Sequence, residues 1–314
     1  MLLSSLEKTI SNSRNILLVG IGGGFDFVQG IPVYEKLFEL GKNVIWANLS
    51  FTRLDSLSGY DKYVLVNSTT EDIPNFNYFP EKYLCEWYEK THKRSLSIYA
   101  FPRFGPKIIK NIVDMIIDKH QIDLIICVDG GTDSLMRGDE PELGTPEEDL
   151  STLCALSFHE NIEQLLITTV FGVDHYHGVQ HYYFLKSVAE LSKVNGFYGV
   201  ESLLAESKEA KIYCDALNYI HDKMPLYKSI VASCLFEALN STFGDTKLPV
   251  EPRDAESFIT PLTSMYWYFD AKKVVDRCLY KKDILDLSLY YEVIDAIKEF
   301  RKDIKVQPSK SIKG

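Results

Sequence analysis

The chain has 314 residues, of which 46% are hydrophobic and 25% charged, and its 34 basic and 44 acidic residues give a formal net charge of −10. This length suits one large α/β domain or a domain with an appendage, and the composition is that of an ordinary globular protein. A negative field of this size disfavours non-specific binding to nucleic acid or an anionic membrane, although it leaves a local site for a small anion open.

The absence of targeting features favours a cytoplasmic protein. No apolar run approaches the roughly 20 residues that a membrane span needs, and Met1 to Arg14 lacks the pattern of a signal peptide. The six cysteines are scattered without a C-x-x-C pair, which favours reduced thiols. The 19 tyrosines suit a core or a subunit contact better than base stacking, so a homo-oligomer stays open.

Strand and helix patterns alternate from residue 15 to about residue 195. The predicted strands are 15–19, 44–47, 63–66, 96–100, 124–128 and 165–170, and the predicted helices include 106–120, 145–160, 178–194, 206–223, 226–241 and 283–301. Thr145, Pro146 and Glu148 predict a capping box at the start of the helix 145–160. This alternation predicts an α/β fold with a mainly parallel sheet and helices on both faces.

Three stretches do not fit this alternation. Residues 70–94 are predicted to be an irregular excursion, residues 245–257 a connection, and residues 303–314 a frayed end. The domain prediction is therefore an α/β domain over 1–244, with a helical C-terminal segment, 245–314, packed on the same domain.

The first candidate site is a glycine turn between a buried strand and a helix. Such a turn can surround an anion with backbone N–H groups, or it can serve only a tight packing turn. Phe25 occupies the third glycine position of the dinucleotide fingerprint, and no acid closes the second strand. Asp26 either caps the helix or contacts a ligand hydroxyl or metal. The candidate ligand-binding residues here are Gly20, Gly22, Gly23, Gly24, Asp26, Asn48 and Ser50.

The second candidate is the acidic loop that follows the buried strand 124–128. Asp129 and Asp133 are predicted to share a divalent cation, Mg²⁺ or Mn²⁺. Asp139 and Glu140 either hold Arg137 or bind ligand hydroxyls, whereas the structural alternative makes Asp129 a turn cap and leaves the other acids in solvent. Gly130, Gly131, Thr132, Arg137, Asp139 and Glu140 complete the candidate ligand contacts.

The third candidate follows the strand that ends at Val170. Asp174, His175 and His177 could bind a metal, His175 or His177 could move a proton, or the histidines could be incidental. We predict catalytic roles for Asp129, Asp133, His175 and His177, and metal ligation by Asp129, Asp133 and Asp174.

Several of these motifs together resemble a known family. GGGFD at 22–26, ANLSF at 47–51, VDGGTDSLMRGDE at 128–140, GTPEED at 144–149 and ITPLTSMYWYFD at 259–270 are similar to the prokaryotic domain of unknown function 1152 family. The resemblance spans nearly the whole chain and implies a Rossmann-like three-layer α/β fold. It implies no activity, because that family has none that is settled.

A glycine cradle opposite clustered carboxylates predicts a phosphorylated or nucleotide-like small-molecule anion as ligand, with a divalent cation relieving charge repulsion. The leading hypothesis is an enzyme that catalyses hydrolysis or group transfer, in which a carboxylate positions metal or water. An NAD(P)-dependent oxidoreductase and a non-catalytic nucleotide sensor remain the alternatives. All three require the strand ends near Val19, Ala47, Val128 and Val170 to converge.

Overall fold

The computed structural model describes residues 9–248, 250 and 255–312. Eight strands of this part of the chain form one sheet, and two form a small antiparallel hairpin. The strands are β1 Asn15–Gly20, β2 Asn43–Leu49, β3 Val64–Asn67, β4 Ser97–Phe101, β5 Leu124–Asp129, β6 Glu163–Thr168, β7 Phe197–Ser202, β8 Gly244–Leu248, β9 Ala255–Ile259 and β10 Met265–Asp270.

The helices cover both faces of the large sheet. They are α1 Asp26–Gln29, α2 Ile31–Glu39, α3 Pro80–His92, α4 Pro106–His120, α5 Pro146–Leu156, α6 His181–Lys193, α7 Lys208–Lys223, α8 Ile230–Leu239, α9 Ala271–Asp276, α10 Lys281–Ile284 and α11 Tyr290–Asp303. None of these helices has both the length and the apolar character that crossing a bilayer requires.

All six cysteines are free thiols.

The sheet order is β3-β4-β2-β1-β5-β6-β10-β7. Strands β4, β2, β1, β5 and β6 run parallel, while β3 pairs antiparallel with β4, and β10 pairs antiparallel with both β6 and β7. The predicted mainly parallel α/β fold is therefore confirmed. Five neighbouring parallel strands also bring their carboxyl ends to one edge of the sheet.

Two hydrophobic cores lie on opposite faces because successive strand residues point to opposite sides. In β1, Ile16 and Leu18 pack into one core, whereas Leu17 and Val19 pack into the other. Burial on both faces explains why these strands are continuous apolar runs in the sequence.

The stretch 70–94, predicted to be irregular, contains helix α3. Pro80 occupies its first position, where a missing N–H costs nothing. Its amphipathic pattern is hard to recognise because two charged residues, Glu81 and Lys82, are buried along with the apolar ones. The irregular prediction was therefore wrong for residues 80–92, whereas residues 70–79 form neither helix nor strand.

The C-terminal segment is not only helical. Residues 244–248 and 255–259, which lie within or beside the predicted connection, are paired strands β8 and β9, and Pro249 and Pro252 lie outside the described residues. Strand β10 enters the main sheet between β6 and β7. Its run of aromatic residues lacks alternation because both of its edges and most of its side chains are covered, so the sequence did not reveal a strand.

Residues 304–312 are ordered against the rest of the fold rather than frayed. The Gln307 N–H donates to the Asp139 carbonyl at 2.7 Å, and the Tyr183 hydroxyl donates to the Pro308 carbonyl at 2.6 Å. The Lys310 N–H donates to Gln180 Oε1 at 2.7 Å. All three hydrogen bonds use backbone groups of this end, which its polar side-chain composition does not reveal.

Candidate functional site

The glycine turn and the acidic loop lie side by side at the carboxyl edge of the sheet. Gly20 pairs in register with Asn48 of β2 on one side and with Val128 of β5 on the other. Ile21, the first residue after β1, donates its N–H to the Val128 carbonyl of β5 at 3.0 Å. The two motifs therefore face one another, as the sequence predicted.

Three aspartates from three different elements meet at this edge. Asp26 begins α1, Asp129 ends β5, and Asp149 lies in the first turn of α5. One carboxylate oxygen from each residue lies within 4.8 Å of those from the other two. We call Asp26, Asp129 and Asp149 the aspartate triad.

Asp149 was not among the predicted site residues. The preceding residues, Thr145 to Glu148, were interpreted as a helix start, and acids in a first helical turn are common because the helix dipole favours them. In the structure, Thr145 forms no capping hydrogen bond through its side chain. Its hydroxyl donates instead to Asp133 Oδ2 at 3.2 Å, so the predicted capping box is absent.

Hydrogen bonds compensate only part of the triad's negative charge. Asp26 accepts from the Gly22 N–H at 2.7 Å, and Asp129 accepts from the Gly131 N–H at 2.6 Å and from the Ser134 hydroxyl. Asp149 Oδ1 is buried and has no hydrogen-bond partner among the described residues. A buried carboxylate oxygen without a partner is costly, and it indicates a missing donor or cation.

Burial raises the pKa of all three carboxyl groups well above the usual range. Repulsion from other carboxylates adds to this, with Asp133 contributing to the raised pKa of each member of the triad. Glu148, beside the triad, has a pKa raised to about 7, mainly by burial. Such clustering of carboxylates with raised pKa values is typical of functional sites, although structural networks also produce it.

The glycines permit this close approach of carboxylates. A Cβ at Gly22 would collide with Asp149 Oδ1 and Asp26 Oδ2, and a Cβ at Gly130 would lie 2.6 Å from Asp26 Oδ1. Gly23 and Gly24 adopt positive φ angles of 92° and 60°. The Gly22 N–H, predicted to bind a ligand anion, thus donates to the protein's own Asp26.

Asn48 and Ser50 belong to a buried network behind the glycine turn. The Asn48 amide donates to the Gly24 carbonyl at 3.2 Å and to Glu81 Oε1 at 2.8 Å, and Ser50 also hydrogen-bonds Glu81. Glu81, which the sequence did not single out, has a pKa raised by burial. This network fixes the turn, and Asn48 is fully buried.

Asp133 and Asp174, predicted metal ligands, hold the acidic loop in place. Asp133 Oδ2 accepts from the Thr145 N–H at 2.8 Å, and Asp174 Oδ2 accepts from the Thr132 N–H at 2.5 Å and its hydroxyl at 2.9 Å. Gly131 lies directly against Asp174, since a Cβ there would be 2.6 Å from Asp174 Oδ1. Of the three predicted ligands, only Asp129 belongs to the triad.

The last residues of the acidic loop form contacts within the loop and accept hydrogen bonds from helix α11. Glu140 accepts from the backbone N–H groups of Arg137 and Gly138, at 3.0 and 2.9 Å, and Arg137 Nε lies 3.3 Å from Asp139 Oδ1. Arg301 of α11 donates to three carbonyls in the same loop. The interpretation in which Asp139 pairs with Arg137 is the one that the geometry favours.

Of the two predicted histidines, His175 lines a separate concavity, and His177 is not among its lining residues. A cavity of about 850 Å³ is bounded by His175, Tyr176 and His181, by Phe258 of β9, and by residues 309–312 of the C-terminal end. His175 and His177 are exposed on a short 3₁₀ turn, Val173–His177.

A known protein family matches most of this chain. Residues 62–299 match the sequence model of the family described as "Protein of unknown function (DUF1152)". The chain belongs to the DUF1152 family. No curated protein and no solved structure showed significant similarity to it.

The matched region of this DUF1152 protein contains two members of the triad, Asp129 and Asp149. Asp26 and the glycine turn precede it, so the third carboxylate comes from outside the matched residues. The family assignment confirms the resemblance seen in the sequence and brings no activity with it.

Proposed function

We propose that this protein is a metal-dependent enzyme that acts on a phosphorylated or nucleotide-like small molecule by hydrolysis or group transfer. In this proposal Asp26, Asp129 and Asp149 hold the divalent cation, Mg²⁺ or Mn²⁺. The observation that carries the proposal is the unpartnered, buried Asp149 Oδ1 beside two further carboxylate oxygens within 4.8 Å.

The donor set fits a hard cation. Three carboxylates and no sulfur or imidazole ligand favour Mg²⁺ or Mn²⁺ over Zn²⁺. Such a cation would neutralise oxyanion charge on a substrate and lower the pKa of a bound water molecule. The N–H groups of Gly22 and Gly131 hold two members of the triad, Asp26 and Asp129, in place.

The four residues predicted to be catalytic have different roles in this proposal. Asp129 is a ligand in this proposal, and Asp133 orients the loop through Thr145. His175 and His177 remain predictions as proton-transfer residues, and both are exposed on the turn Val173–His177.

The oxidoreductase alternative has weaker support. A pyrophosphate on the first turn would need free N–H groups there, but the Gly22 N–H donates to Asp26, and Phe25 is buried in the hydrophobic core. Asn48, which replaces the ribose-binding acid, is tied to Glu81. An anionic cofactor would thus meet a carboxylate at the turn.

The test is direct binding of Mn²⁺, measured by isothermal titration calorimetry on the wild-type protein and the Asp149→Asn variant. We expect the variant to bind Mn²⁺ at least tenfold more weakly. Because burial disfavours the charged form of Asp149, the neutral variant should be as stable as the wild-type protein without metal, or more stable. Asp222→Asn, at an exposed position of α7, is the matched control and should bind normally.

Turnover separates an enzyme from a sensor. A panel of phosphate mono- and diesters incubated with Mn²⁺ should reveal hydrolysis that the Asp149→Asn variant lacks. Unchanged Mn²⁺ affinity in that variant would contradict the cation site. Ligand binding without turnover would support the sensor instead.

A further inference from the structure

Arg103 occupies an unusual position beside the aspartate triad. It follows β4, at the same carboxyl edge of the sheet as the triad. Its guanidinium carbon lies 5.0 Å from the ring centre of Phe51 and 5.0 Å from that of Tyr290. Two aromatic contacts hold the side chain in place, although 48% of it is exposed to solvent.

The two rings connect Arg103 to the glycine turn and to the triad. The Phe51 ring packs directly on Gly23, where a Cβ would collide with it. The Tyr290 hydroxyl donates to Glu148 Oε1 at 3.1 Å, and Arg103 Nη1 lies 3.6 Å from the same oxygen. Glu148 lies close enough to Asp26 and Asp149 for its charge to raise the pKa of both, so it connects the guanidinium to the triad.

The hydrogen-bonding capacity of Arg103 is left largely unused. Other arginines near the acidic loop have structural partners: Arg301 donates to three carbonyls, and Arg277 donates to Leu135, Ser187 and Glu190. Within the described residues, Arg103 has the 3.6 Å ion pair with Glu148 and no hydrogen bond. A planar guanidinium has five donors in a fork that matches oxyanions.

We propose that Arg103, held between Phe51 and Tyr290, binds the phosphoryl group of the substrate beside the cation site. This inference rests on the proposed function and adds the group that recognises the substrate's anion. The aromatic contacts fix the guanidinium before the ligand arrives, which reduces the entropy lost on binding. Phosphate oxygens would then lie between a fixed positive charge and the cation at the triad.

The test uses inorganic phosphate as probe, titrated into the protein saturated with Mn²⁺ and measured by calorimetry. We expect Arg103→Ala to weaken phosphate binding at least tenfold and Arg103→Lys to restore only part of it, because lysine lacks the bidentate fork. Mn²⁺ affinity should stay unchanged in both variants. Arg14→Ala removes the same charge from an exposed site just before β1, at the opposite edge of the sheet, and should bind phosphate normally.

The outcomes separate the two proposals. Normal Mn²⁺ binding with the same phosphate affinity in wild type and Arg103→Ala would overturn the role of Arg103 and leave the cation site intact. Equal affinities of the wild-type protein for acetate and phosphate would also overturn that role, because the site would then not recognise a phosphoryl group. Failure of the wild-type protein to bind Mn²⁺ would overturn the proposed function itself.

Discussion

At the scale of single residues, the dominant feature is the concentration of buried carboxylates. Asp129, Asp133 and Asp149 are each less than 5% exposed, and Asp174 is 7% exposed. Burying an ion without a counter-charge costs several kcal/mol even after relaxation. Asp133 and Asp174 offset part of this cost through hydrogen bonds from Thr145 and Thr132, and the proposed cation would offset it at Asp129 and Asp149.

Asp174 gives a prediction about pH. Burial, with repulsion from Asp133, raises its pKa to about 8. The folded state therefore holds this proton more tightly than the unfolded state, so the stability it contributes is full below pH 3.8 and is lost as the pH rises through about 8. Asp174→Asn is neutral throughout this range and keeps an oxygen for Thr132.

We expect the free energy of unfolding of the wild-type protein, relative to that of Asp174→Asn, to fall between about pH 5 and about pH 8. The slope is limited to about 1.4 kcal/mol per pH unit for one proton. Urea denaturation at each pH measures the difference, and Asp222→Asn serves as the control. Parallel curves for the wild type and Asp174→Asn would show that Asp174 ionises normally in the folded protein.

At the scale of elements, the loop after β5 is long but firmly held. Asp133 fixes it to Thr145, Glu140 closes a turn at Gly138, and Arg301 reaches it from α11. The C-terminal end contributes as well, through the Gln307 N–H and the Asp139 carbonyl. Asp129, the last residue of β5, is therefore held by its strand on one side and by a fixed loop on the other.

The C-terminal end gives a prediction at this scale. Tyr183→Phe removes the hydroxyl that donates to Pro308, while its buried ring keeps its packing. Loss of this bond should cost about 1 kcal/mol and expose residues 304–312 to proteases. Thermal unfolding and limited trypsin digestion measure the two effects.

Tyr291→Phe is the control for this substitution, because Tyr291 is 60% exposed. It should leave both the unfolding temperature and the digestion pattern unchanged. Equal digestion rates for Tyr183→Phe and the wild type would mean that the C-terminal end is held by its other contacts.

At the scale of the whole molecule, a strand from late in the sequence completes the main sheet. Strand β10, near residue 267, separates β6 from β7 and pairs with both. The main sheet thus needs residues beyond 244, the boundary predicted from the sequence. Residue 244 is therefore not a boundary of the fold, because β10 lies beyond it in the sequence and completes the sheet that the earlier strands form.

A fragment of residues 1–244 should therefore fail to fold. Without β10, β6 becomes an open edge and β7 loses its partner, and unpaired apolar edges aggregate. We expect the fragment to bind a hydrophobic dye and to lack cooperative unfolding, whereas a chain ending at Ile304 retains all ten of the described strands and should unfold cooperatively. A monomeric fragment with cooperative unfolding would contradict this expectation.

The sequence alone determined the order of the elements that build the parallel strands, the edge where the site lies, and the acidic character of that site. These follow from local signals, since buried strands are apolar runs and loops after parallel strands share one edge. Only the tertiary structure decided which carboxylates meet. Asp149, and not the predicted Asp133 or Asp174, lies beside Asp129 because the first turn of helix α5 packs against the glycine turn. The spacing of residues along the chain does not predict that contact. The insertion of β10 was decided in the same way, by pairing between strands that lie about 65 to 100 residues apart.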